Sequence, residues 1–299
     1  MKKILITMCL CFFSYVFSQE SLNMDLVGQF SFPQGTNDIW GYADGSTEYA
    51  LVGLTNGFSV VDITDPSNPS ELFFVSGSNS IWRDVKTWGK YAYVTTEAED
   101  GLLIVDLSDE TGQTYVYTDE FFTTSHNIYI DENGYAYIFG ADTGNGGAVI
   151  LDLTNDPMNP SLAGMFDNNY LHDGMVRGDT LWGSAIYLGD FQVIDVSDKQ
   201  NIEILSSYPT SCQFTHNAWI SDNGDYVFTT DERSDAYIGA YDITNMSNIQ
   251  EVDRIQSNPG SLSVPHNTHV DGNFLITSWY RDGTTIHDVT YPNNMIQVA

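Results

Sequence analysis

One motif recurs six times along this chain and constrains its fold more than any other feature: a short apolar run ending in Asp that leads into a Thr or Ser turn. The first copy reads Val60-Val61-Asp62-Ile63-Thr64-Asp65-Pro66 and the third Ile150-Leu151-Asp152-Leu153-Thr154-Asn155-Asp156-Pro157. The others centre on Asp106, Asp195, Asp242 and Asp288, and successive aspartates are 44, 46, 43, 47 and 46 residues apart. Apolar runs of this length read as strands, and the polar segments that follow them as turns. A strand-bearing period of about 40–50 residues is that of propeller blades.

A second motif alternates with the first. Asn37-Asp38, Arg83-Asp84, His126-Asn127, His172-Asp173, His216-Asn217 and His266-Asn267 each open a strand. Gly turns such as Asp131-Glu132-Asn133-Gly134 then lead into the next strand. Counting strands gives four per unit, with units predicted at 34–76, 77–120, 121–166, 167–209, 210–256 and 257–299 inside one domain spanning 19–299. The expected fold is all-β, a propeller of about six four-stranded blades or a truncated seven-bladed one. A β-sandwich does not repeat its sequence at this interval, and no stretch carries a helical period. Met24 to Phe32 reads as a strand that completes the closing blade and removes its edge.

Lys2 and Lys3, the apolar run Ile4 to Phe17, and Ser18 form a predicted secretory leader over residues 1–18. The run is shorter than the roughly 20 residues that span a bilayer. Export by the Sec pathway, to the medium or the cell surface, is the expected localisation. Cys9 and Cys11 leave with the leader, and Cys212 alone forms no internal disulfide. With 40 Asp and Glu against 10 Lys and Arg, the formal net charge is −30. Losing the two leader lysines takes it to about −32. Such a surface repels phosphate backbones and anionic lipid, so neither nucleic acid nor direct membrane insertion is expected of the mature chain. Cations, and a protein or cell-surface ligand, are the expected partners.

The repeated apolar-Asp-turn tails, the Ser125-His126-Asn127 block and the Phe214-Thr215-His216-Asn217 block followed by Thr230-Asp231-Glu232 resemble the LVIVD-repeat proteins. The order of these blocks is similar to that of the "choice-of-anchor B" family of secreted bacterial β-propellers. The resemblance covers nearly all of the mature chain. It implies the propeller fold and a further blade-like stretch after the sixth unit, so either the chain is a fragment or six units close on the N-terminal strand. It implies no particular activity.

First strands of propeller blades line the central axis, so the second motif becomes a ring near one mouth of the channel. Four of the six histidines, His126, His172, His216 and His266, fall in register there. One reading is a site for one divalent metal ion, zinc or calcium, with these imidazoles and Asp38, Asp84 and Asp173 as ligands or orienters. The other is scaffolding, in which the same side chains hydrogen-bond neighbouring blades and recur because the blade recurs. Alternation along a strand separates each His from its Asn or Asp partner, and places His269 on the face opposite His266. A second acidic set follows the second strand of several units: Glu97, Glu99, Asp142, Asp231, Glu232 and Asp282. The six repeated aspartates before the turns read as turn caps.

Two functions follow. The first is a secreted, non-catalytic binding module, with the ring either structural or holding one cation. The second is a metal-dependent hydrolase or lyase, with His126, His172, His216 and His266 as ligands and Glu97, Asp231 or Glu232 as general base. A serine-hydrolase elbow, a zinc helix and a phosphate-binding Gly-Lys loop are all missing from the sequence.

Overall fold

The structure is a computed structural model, and it describes residues 21–299, so the predicted leader lies outside the described residues. Twenty-four strands form six four-stranded antiparallel sheets, each built from four consecutive strands, and no helix occurs among the described residues. Blade 1 comprises β1 (Thr36–Asp44), β2 (Thr47–Leu54), β3 (Gly57–Asp62) and β4 (Ser70–Ser76). Blade 2 follows with β5 (Arg83–Trp88), β6 (Tyr91–Thr96), β7 (Leu102–Asp106) and β8 (Tyr115–Thr118). Blade 3 holds β9 (Asn127–Ile130), β10 (Tyr135–Phe139), β11 (Ala148–Asp152) and β12 (Ser161–Phe166). Blade 4 runs through β13 (Asp173–Arg177), β14 (Thr180–Ala185), β15 (Asp190–Asp195) and β16 (Glu203–Pro209). Blade 5 contains β17 (Thr215–Ile220), β18 (Tyr226–Asp231), β19 (Ile238–Asp242) and β20 (Gln250–Ile255). Blade 6 is β21 (Pro265–Asp271), β22 (Phe274–Trp279), β23 (Gly283–Asp288) and β24 (Ile296–Gln297). This is the six-bladed propeller expected from the repeat.

Local chemistry explains each blade. The β9–β10 turn closes because Asp131 Oδ1 accepts the N–H groups of Asn133 and Tyr135, both at 2.9 Å, while Gly134 takes the left-handed conformation (φ 82°). At the end of every third strand the repeated Asp caps the next turn. Asp62, Asp106, Asp152, Asp195, Asp242 and Asp288 each accept the N–H of the residue two positions on, at 2.8–2.9 Å. In blades 1, 3, 4 and 5 the pairing of third and fourth strands slips at one equivalent place, as between Val60 and Val61 or Val193 and Ile194. Such bulges add twist to an outer strand.

The core lies between blades, not within one. Leu51, Phe58 and Val60 of blade 1 pack on Val85, Ala92 and Val94 of blade 2, and four further clusters join blades 2–3, 3–4, 4–5 and 5–6. Fully buried side chains such as Tyr93, Tyr137 and Phe228 each contribute roughly 1.5–3 kcal/mol by leaving water. Blade 1 has a second, smaller cluster of Ala50, Val52, Leu54 and Val61, covered by Phe32 and Ile63.

The expected N-terminal closing strand is not found, which corrects that reading. Residues 21–35 contain no strand, and the outer strand of blade 6 is β24. Backbone groups at the edge of β23 are already taken, since Ile286 N donates to Ala299 O at 2.8 Å and Val298 N donates to Ile286 O at 2.8 Å. Pro33 has no N–H to offer a ladder. Residues 21–35 instead tie the two blades by side chains: Phe32 lies on blade 1, and Asn23 Nδ2 donates to Val298 O at 2.8 Å.

Candidate functional site

The first strands share one register along the axis, although their starts differ by up to two residues, which puts one side chain per blade at a common level. His126 and His172 immediately precede β9 and β13, while His216 and His266 are the second residues of β17 and β21. The four imidazoles form a continuous arc, with centroid separations of 4.1 Å (His126–His172), 4.3 Å (His172–His216) and 4.2 Å (His216–His266). Trp82 caps one end, 6.0 Å from His126, and Tyr280 the other, 5.3 Å from His266. Gly140 makes room for the arc. It is left-handed (φ 61°), and a Cβ there would stand 2.8 Å from His126 Cβ and 2.9 Å from the Tyr170 hydroxyl.

Two carboxylates reach this arc. Glu97 Oε1 pairs with His126 Nδ1 at 2.8 Å, and Glu232 Oε2 stands 3.9 Å from His216 Nε2. Glu97, Glu232 and Tyr280 directly follow β6, β18 and β22, so one register position supplies all three. The Tyr280 hydroxyl donates to Glu232 Oε1 at 2.6 Å. Sequence reasoning missed Tyr280, although its position after the second strand of unit six was a usable signal.

One imidazole nitrogen of His172, one of His216 and one oxygen of Glu232 lie within 4.8 Å of one another. The Nδ1 atoms of His172 and His216 are buried without a hydrogen-bond partner. Burial first, and then the neighbouring imidazoles, push His172 down to about 3 and His216 well below its ordinary value. His266 falls to about 4, again chiefly through burial. All three rings are therefore neutral at physiological pH and can donate a lone pair to a cation. Two nitrogens and one carboxylate oxygen suit zinc or a similar transition ion, whereas calcium prefers a shell of oxygens.

One residue further along each first strand, side chains turn to the opposite face and stitch blades together. Asp38 Oδ2 accepts Val85 N at 3.0 Å, Asp84 Oδ2 accepts Ile128 N at 3.0 Å, and Asn217 Oδ1 accepts Thr268 N at 3.1 Å. Asp173 Oδ2 accepts Asn217 Nδ2 at 2.8 Å. Burial pushes Asp84 up most strongly of any single cause, but the Lys86 ammonium at 2.8 Å, together with the hydrogen bonds from Asp38, Lys86 and Ile128 N, holds the carboxyl below its usual range. Asp38 moves the other way, raised by burial and by the charge of Asp84, and Asp173 rises to about 6 through burial. Asp38, Asp84 and Asp173 are thus engaged in the scaffold and stand apart from the histidine–glutamate donor group.

The remaining candidates have other partners. Asp231 accepts from Thr210 Oγ1 (2.6 Å), Phe214 N (2.7 Å) and Cys212 N (3.0 Å), which shapes the loop before β17. Asp142 holds Thr123 N at 2.9 Å, and Asp282 holds Ser257 Oγ at 2.5 Å. His269 is stacked on Trp219 at 4.2 Å, outside the imidazole arc. Burial and the charge of Asp231 raise the Cys212 thiol, the reverse of what an activated nucleophile needs.

The LVIVD repeat model matches residues 45–76 and 82–116, the greater part of blades 1 and 2. The chain carries LVIVD repeats. A search of curated proteins finds no match. Among solved structures, this LVIVD propeller is similar to the Cps50 (Swd1) β-propeller domain of Myceliophteria thermophila, at 11% identity and TM-score 0.66, over 91% of this chain and 88% of that one. A protein from Lactobacillus plantarum matches at 15% identity and TM-score 0.66, over 82% of this chain and 77% of that one. A putative 6-phosphogluconolactonase from Bacteroides fragilis matches at 12% identity and TM-score 0.65, over 87% and 82%. At such identities these likenesses concern the fold of the LVIVD propeller and not its chemistry.

Proposed function

We propose that this propeller is a secreted binding module whose channel mouth holds one transition-metal ion on His172, His216 and Glu232, with His126 and His266 flanking it. The observation that supports this most is the group of three donor atoms within 4.8 Å, two of them on deeply buried imidazoles. A gap of 3.9 Å between His216 Nε2 and Glu232 Oε2 is too long for a hydrogen bond, but one cation about 2.0–2.2 Å from each atom fits it. An ion there offers open coordination positions to an anionic group on a protein or cell-surface ligand, against a chain whose net charge of −30 would otherwise repel it.

Elemental analysis of the purified mature protein, with zinc titration, tests the site. About one equivalent of ion, lost in the His172→Ala/His216→Ala double variant, is the expected result. If the parent takes up no transition metal and the double variant is merely less stable to heat, the arc fastens blades and the reading fails. The hydrolase alternative needs a free base beside the ion. With Asp231 engaged by three donors and Glu232 in the donor group, only Glu97 of the three candidates is left for that role.

A further inference from the structure

Side chains that bridge neighbouring blades elsewhere are missing between blades 5 and 6. Five residues after the row that holds the histidines, Tyr42 and Trp88 pack into the clusters joining blades 1–2 and 2–3. At the same position in blade 4, Arg177 Nη1 donates to Ser221 O of blade 5 at 2.6 Å. Blade 3 has Asp131 there, and its carboxylate is occupied by its own turn. The filler comes from blade 4 instead. Lys199, four residues after the repeated Asp195, sets its ammonium 4.6 Å from the Tyr135 ring centroid and donates to Val196 O at 2.8 Å.

Between blades 5 and 6 the first-strand position is the small Ser221, and Pro292, four residues after Asp288, stands where blade 4 has Lys199. A cleft of about 560 Å³ opens there, a size that suits a small ligand. Tyr226, Phe228, Val252, Val270 and Val289 supply its apolar wall. Tyr226 is the counterpart of Tyr135: each opens a second strand, and each faces the repeated Asp of the third, Asp242 and Asp152 respectively. Asp222, Asp225 and Asp242 also line the cleft, and among the described residues no lysine or arginine does. Asn223 Nδ2 donates to Asp225 at 3.1 Å, Thr244 N to Asp242 at 2.9 Å, and the Arg177 guanidinium stands 4.0 Å from Asp222 Oδ1.

We propose that this cleft binds a small aliphatic primary ammonium ligand, which takes the place that the Lys199 side chain holds between blades 3 and 4. Its ammonium lies against the Tyr226 ring beside the Asp225 and Asp242 carboxylates, and its alkyl stem covers Phe228, Val252 and Val289. A hydrated metal ion would gain nothing from the apolar wall, and a neutral alcohol nothing from the carboxylates. Ser221 and Asp225 lie at the far end of β17 from His216, so the cleft is independent of the metal site. A free diamine and a peptide lysine carry the same group.

Isothermal titration of n-pentylamine, pentane-1,5-diamine and Nα-acetyl-lysine methylamide into the full chain tests the cleft. Saturation at one n-pentylamine per chain, in the millimolar range that suits so few atoms, is expected. Methylamine and 1-pentanol, which each carry half of the chemistry, should bind at least about tenfold more weakly. Binding by the diamine or the capped lysine supports the site, and the tighter of the two identifies the source. Pro292→Lys places an internal ammonium in the cleft and should abolish binding without lowering the thermal midpoint, which separates an occupied cleft from a misfolded one. Asp225→Asn, which keeps an acceptor for Asn223, should weaken n-pentylamine by about threefold. The His172→Ala/His216→Ala variant should leave it unchanged. No saturable n-pentylamine binding, equal binding of 1-pentanol, or full binding by a folded Pro292→Lys chain overturns the proposal.

Discussion

The Asp84 carboxylate of blade 2 accepts the backbone N–H of Ile128 in blade 3 at 3.0 Å, so a side chain of one repeat completes the backbone hydrogen bonding of the next. Its other oxygen accepts the Lys86 ammonium at 2.8 Å, and both side chains are buried. Asp84→Ala leaves a buried ammonium with only Val85 O as a partner and without its counter-ion, and a buried N–H unpaired, and is expected to cost about 3–5 kcal/mol in urea unfolding. Asp84→Asn, which can still accept from Ile128, should cost less. A loss below about 1 kcal/mol for the alanine variant would show that the stitching is not a main source of stability.

Acid sensitivity should trace in part to His287. This ring is fully buried in blade 6, neither nitrogen has a partner, and burial lowers it from 6.5 to about 4. The unfolded chain binds a proton below about pH 6.5 and the folded chain does not until about pH 4, so stability falls as pH drops through that window. Between pH 7 and pH 5 this one group accounts for about 2 kcal/mol. His287→Leu is expected to flatten the pH dependence of urea unfolding by that amount, and an unaltered slope would assign the acid loss elsewhere.

Metal choice follows from the donor set. Isothermal titration should show zinc binding that millimolar calcium does not displace, because two of the three donors are imidazole nitrogens. Glu232→Gln removes the anionic donor and should weaken zinc by about tenfold or more. Glu97→Gln, whose parent side chain is paired with His126 at 2.8 Å outside the donor group, should change it much less. Equal effects of the two substitutions would move the ion toward His126.

Gly140→Ala probes the space behind the arc. The left-handed backbone and the 2.8 Å approach to His126 Cβ both oppose a side chain there. A loss of about 1–2 kcal/mol is expected. Zinc affinity should fall as well, since displacement of His126 disturbs the ring 4.1 Å away on His172. Unchanged stability and affinity would mean that His126 and Tyr170 yield freely.

Much of the site was legible as a register and little of it as a geometry. His126, His172, His216 and His266 could be aligned by repeat position, and alternation along a strand separated them from Asp38, Asp84 and Asp173. Which of the two rows faced an open space was not readable, because that depends on how far each strand start sits from the axis. Glu97, Asp231 and Glu232 looked alike as acidic residues after a second strand. Their neighbours divide them: three donors surround Asp231, while Glu232 meets His216 and Tyr280.

The repeat period, the alternation within strands and the Asp-capped turns are local properties, so sequence by itself determined the four-stranded blade, its six copies and the alignment of four histidines in one row. Closure of the ring is a sum over blade-to-blade contacts, and only the tertiary structure decided it. Ile276 occupies the position that Leu51 holds in blade 1, yet one is exposed and the other is core because only Leu51 has a blade packed on it. The same holds for the N-terminal segment. Its apolar residues suit a strand, but β24 holds the free edge of β23, and hydrogen-bonding groups already paired accept no further strand.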